Sequence, residues 1–143
     1  MEEHITVTFE NPNDPDDNNV PSPYIYFGSI NEDLAGQRNP NEIVIPMRNI
    51  RVVFSFPLSR DVLVKFESSN PQGFTRNEIA RKVYEQYSTF YREETNDGEV
   101  EFEQRIKGNP NNKPYGIWAH SLEGLALCEV HQLEGDLFSV TVE

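Results

Sequence analysis

Cysteine occurs once in this 143-residue chain, at Cys128, so no intrachain disulfide can staple the fold. No apolar run approaches the length of a membrane span. The opening Met1-Glu2-Glu3-His4 lacks the basic-then-apolar pattern of a secretory leader, and no Asn-x-Ser/Thr sequon occurs. These absences point to an intracellular, cytoplasmic protein. Bases are scarce as well. Twelve Lys and Arg stand against 24 Asp and Glu, a formal net charge of −12. The scarcity is regional: residues 1–20 hold six acids, residues 93–103 six and residues 121–143 five, and none of these stretches contains Lys or Arg. A surface of that sign repels phosphate backbones and anionic lipid, which argues against nucleic-acid and membrane partners.

Catalytic signatures are missing too. There is no phosphate loop, Gly-x-Gly-x-x-Gly, Gly-x-Ser-x-Gly or His-Glu-x-x-His, and no cofactor is expected. His4, His120, His131 and Cys128 lack zinc-ligand spacing. The tract from Asp14 to Asn19 imitates the start of a calcium loop. Asn19, however, stands where such a loop needs Gly, and Ile25 where it needs a bidentate Glu. No metal site is therefore expected.

What the chain does have is apolar pattern. Sixteen aromatic residues are too many for a disordered chain, and the length suits one domain over residues 1–143. Ile79, Val83, Tyr87 and Phe90 recur every three to four residues, with Ala80 and Tyr84 widening the stripe. That spacing predicts one long amphipathic helix over about residues 76–95. Thr75 and Glu78 form a capping-box pattern, and Phe74 and Ile79 a hydrophobic staple. Glu93 and Glu94 fall in the last turn, the unfavourable end for acids given the helix dipole. That turn should fray unless another group holds it. Thr95-Asn96-Asp97-Gly98 supplies the stop.

Elsewhere the period is two. Residues 4–9, 49–56, 61–67, 125–133 and 137–142 read as strands, with shorter candidates at 24–27 and 42–45. Ile50, Val52 and Phe54 share one face of their strand; Val62, Val64 and Phe66 share one face of the next. Val100 to Ile106 is a weaker strand candidate. Residues 10–23, rich in Asn, Asp and Pro, read as a mobile loop, and residues 96–114 as largely irregular. The expected fold is α+β: a mainly antiparallel sheet, the long helix packed on one face and a C-terminal β-hairpin.

Phe56-Pro57-Leu58, Gly73-Phe74-Thr75, Tyr91 with Glu93-Glu94, then Tyr115-Gly116-Ile117-Trp118 with His120, Leu122 and Leu125 recur in that order. Over roughly residues 54–143 this set resembles a family of small proteins of plants, protists and large DNA viruses. The family has no established activity, so the resemblance implies nothing about chemistry.

Trp118, His120 and Glu123 lie between an Asn/Pro-rich loop and the terminal hairpin, where site residues often gather. His120 is a candidate general base, with Glu123 to orient it or Cys128 as a nucleophile. The competing reading is that Trp118 packs on the helix and His120 satisfies backbone groups. Cys128 and His131, three apart on a strand, point to opposite faces and form no dyad. Tyr84 and Tyr91 share a helix flank whose partial exposure, with Trp118, suits binding. The leading expectation is a non-enzymatic, acidic protein-interaction module with a basic protein partner. The alternatives are a small hydrolase using His120 with Glu123 or Cys128, and a structural component of a virion or large assembly.

Overall fold

Alternating apolar residues become strands, and the 3.6-residue stripe becomes the helix that covers them. The computed structural model describes residues 4–15, 17–95, 115–117 and 120–143. In chain order the elements are β1 (Thr6–Thr8), β2 (Asn11–Pro15), β3 (Pro21–Ser22), β4 (Ile25–Tyr26) and α1 (Ile30–Ala35). Then come β5 (Ile43–Ile45), β6 (Asn49–Phe54), β7 (Val62–Glu67), β8 (Phe74–Thr75), α2 (Arg76–Thr95), β9 (Ala126–Glu134) and β10 (Leu137–Val142). The fold is α+β. Its main sheet runs β1-β9-β10-β6-β7, with β4 also pairing to β9.

All but one of the pairings in that sheet are antiparallel. The exception is central: β10 lies parallel to β6, Phe138 beside Val52. Alternation suggested a mainly antiparallel sheet, as observed. The alternation persists in this parallel pair because α2 covers only one face, so the other keeps its polar residues. Ile50, Val52, Phe54, Phe138 and Val130 point to the covered face and are buried. From α2, Ile79, Ala80, Val83, Tyr87 and Phe90 meet them, each no more than 1% exposed. Phe54 is the hub, with ring centroids 5.3 Å from Tyr87, 5.4 Å from Phe90 and 6.0 Å from Phe66.

The start of α2 is fixed from several directions. The Glu78 amide donates to Thr75 Oγ1 at 3.0 Å, half of the capping box. The expected reciprocal bond takes another route: the Glu78 carboxylate accepts from the Ser69 amide at 2.8 Å. Gly73, with φ of +133°, lies where an added Cβ would sit 2.1 Å from the Ile45 carbonyl oxygen. Only glycine allows that approach of the β8 entry to β5.

Two segments depart from the sequence reading. The tract at residues 10–23, expected as a loop, contains the β2–β3 ribbon. Its order comes from side chains: Asn11 Oδ1 accepts from the Asn13 amide at 3.1 Å, and Ser22 Oγ donates to the Asp14 carbonyl. Residues 30–35, between the strand candidates at 24–27 and 42–45, form α1, with Glu32 and Asp33 in its first turn and Ile30 and Leu34 buried. The expected stop at residues 96–98 and the strand candidate at 100–106 lie outside the described residues.

Candidate functional site

The C-terminal end of α2 meets the chain that leads into β9. Here the sequence placed acids at the unfavourable end of a helix, and the structure gives them partners. Glu94 is fully buried, and its carboxylate accepts from the amides of Tyr115 at 3.1 Å and Ile117 at 2.5 Å. Two charge-assisted bonds to backbone compensate the poor placement in the helix dipole. Glu93 accepts from the Tyr115 hydroxyl at 3.0 Å. The same segment is tied to the β6–β7 turn: the Ser59 amide donates to the Tyr115 carbonyl at 3.0 Å and Ser59 Oγ to the Gly116 carbonyl at 2.6 Å. Ile117 is thereby sunk into the core, 1% exposed.

Beyond this clamp lies a broad hollow of about 490 Å³, lined by Ser88, Tyr91, Arg92, His120, Ser121, Leu122 and Glu123. Tyr91 is half-buried, and its hydroxyl donates to the His120 carbonyl at 3.0 Å. The His120 ring stands edge-on to Phe56, centroids 4.8 Å apart. Phe56 is itself 39% exposed, one of few large apolar side chains on the described surface. Glu123 is exposed on a 3-10 turn at Leu122–Gly124. That turn is pressed against Gly28, where an added Cβ would come within 2.9 Å of the Glu123 carbonyl oxygen.

The structure therefore brings His120, Glu123 and Tyr91 to one surface. Tyr84 is not among the residues lining it. It is half-buried and packs edge-on to Phe27, centroids 5.4 Å apart. Trp118 lies outside the described residues. Cys128 sits where β9 carries one residue more than β10, between the Leu127–Val142 and Glu129–Thr141 pairs. Its Sγ contacts the Ala126 carbonyl at 3.8 Å. Burial, then the charges of Glu143 and Glu129, push its thiol above the ordinary value, which disfavours the thiolate a nucleophile needs. His131 is engaged elsewhere, its Nδ1 2.9 Å from Thr6 Oγ1. Among the described residues, no three His, Cys, Asp or Glu side chains converge as a metal site. No helix among them is long and apolar enough to cross a membrane.

Phe56 and Glu94 were not among the expected site residues. The signal for Glu94 was present as an acid in the wrong turn of a helix. Phe56 stood out only within the Phe56-Pro57-Leu58 set, and nothing in the local sequence gave it a place in the site. No protein-family model, curated protein or solved structure matches this chain.

Proposed function

We propose that this protein is an acidic interaction module, and that the hollow at Tyr91, His120, Leu122 and Glu123 is its contact surface for a basic segment of another protein. One observation carries the reading. The hollow is broad and open, yet its aromatic wall is held in place beforehand, Tyr91 by its bond to the His120 carbonyl and His120 by Phe56. Preorganised aromatic surface anchors contacts at low entropic cost. Chemistry asks for the opposite shape, a site that excludes water around its reacting groups. The net charge of −12 supplies long-range attraction for a basic partner. Within the cell, an unpaired thiol such as Cys128 is ordinary.

A short oligoarginine peptide tests this by amide chemical-shift mapping at low and high salt. The expected result is a salt-sensitive shift confined to residues around Tyr91, His120 and Glu123. Glu123→Lys should abolish it, while Glu85→Lys, on α2 but not among the residues lining the hollow, should spare it. Equal losses from both substitutions would reduce the effect to overall charge and sink the assignment of the surface.

A further inference from the structure

A second surface is carried by different residues. β7 pairs with β6 on one side, and no strand pairs with it on the other among the described residues. The Ser68 amide donates to the Arg48 carbonyl, so even-numbered residues of this strand direct their backbone groups to β6. The ladder alternates, so the backbone groups of Leu63, Lys65 and Glu67 point away from it. These three residues are also exposed on the face that α2 does not cover, Leu63 at 55%.

We infer that β7 is a self-complementary edge, on which a second copy of this chain pairs antiparallel about a two-fold axis at Phe66. Charge and strand bounds together select that register. Centred on Phe66, Lys65 of each copy faces Glu67 of the other, twice, and these are the residues whose outward groups would form the new ladder. Centred on Lys65, like charges meet at the axis. Centred on Val64, Asp61 faces Glu67, again like on like. Centred on Leu63, Asp61 faces Lys65, but Asp61 lies before the strand and accepts from Ser55 Oγ at 2.8 Å, whereas Lys65 and Glu67 both lie within it. Opposite charges directly across a strand pair stabilise it, and like charges weaken it. Val64, half-buried in the single chain, is covered in the favoured arrangement. Such an edge buries much less than a standard interface, so the dimer is weak and forms only at high concentration.

Sedimentation velocity over a concentration series reaching about 1 mM tests this, because that is the range in which a weak pair forms. The wild type should shift from monomer to dimer. Lys65→Glu and Glu67→Lys should each raise the dissociation constant roughly tenfold or more, since each makes both cross-strand pairs like-charged. Both residues are exposed, and unchanged circular dichroism would confirm intact folding. An equimolar mixture of the two variants should associate again, as should the double variant K65E/E67K, because both restore opposite charges. A wild type that stays monomeric throughout, or single variants that associate as it does, would overturn the inference.

Discussion

Two regions of this molecule are held together by different physics. Around α2 and β6 the contacts are apolar: Phe54 touches Phe66, Tyr87 and Phe90, and its polar neighbour, the Tyr87 hydroxyl, donates to the Phe56 carbonyl at 2.8 Å. Around α1 and the β2–β3 ribbon the centre is a carboxylate. Asp33 is 2% exposed and accepts from Asn11 Nδ2 at 2.9 Å, the Tyr26 amide at 2.9 Å and Ser29 Oγ at 3.1 Å. Asn11 itself is fully buried. An apolar core tolerates small shifts because its contacts are many and non-directional. A buried polar hub has few contacts, each directional, and leaves orphans when one is lost.

The largest expected effect is in the apolar region. Phe54→Ala removes the hub ring from between strand and helix, and should destabilise the protein by about 3–5 kcal/mol, the usual range for a buried Phe. Denaturant midpoints with an unchanged m-value would establish it. Amide exchange should quicken across α2 and β6 together. A cost under about 1 kcal/mol would mean that the core refills the gap, which three edge-on aromatic neighbours make difficult.

A smaller effect, of about 2–4 kcal/mol, is expected for Asp33→Ala, which leaves the Asn11 amide and the Tyr26 N–H without an acceptor. The difference in kind is sharper than the difference in size. Asn11→Ala made together with Asp33→Ala should cost less than the sum of the two, because the orphan is removed with its partner. Exchange should quicken in residues 11–35 first and leave α2 protected. Strict additivity would mean that the hub is not a coupled unit.

This contrast also explains how much of the molecule was legible in the sequence. The apolar region announced itself: 3.6-residue spacing placed α2 at residues 76–95, and period two placed β6, β7 and the β9–β10 hairpin. The polar region was misread as loop, because Asn, Asp, Ser and Pro carry the same letters in a solvated turn as in a buried network. What distinguishes them is long-range pairing, such as Asn11 with Asp33, which no local window contains. The parallel β6–β10 pair was hidden for the same reason. In the candidate site, His120, Glu123 and Tyr91 were named from their types and order. The clamp at Glu94 and the packing of Phe56 depended on partners more than twenty residues away.

The finest test sets one tyrosine from each region against the other. Both hydroxyls titrate above the ordinary value, for different reasons. Tyr87 is raised chiefly by burial. Tyr26 is raised to about 12, chiefly by donating to Asp14 Oδ2 at 2.9 Å, with burial and the Asp14 charge adding to it. A folded-state value above the unfolded one means that the folded protein holds the proton longer. The Tyr26 contribution is therefore complete below pH of about 10, the unfolded value. It is lost as pH rises through about 12. Tyr26 is partly exposed, so solvent screening keeps its contribution small. Tyr26→Phe should flatten that part of the alkaline stability profile and leave neutral pH nearly unchanged. Asp14→Ala removes both the acceptor and the charge, so it should return the Tyr26 titration toward 10 while the Tyr87 titration stays high. Tyrosinate absorbance, read against each single Tyr→Phe variant, separates the two. If Asp14→Ala left the Tyr26 titration where it was, burial would be the cause in both regions, and the contrast between an apolar and a carboxylate-centred half would fail at its most sensitive point.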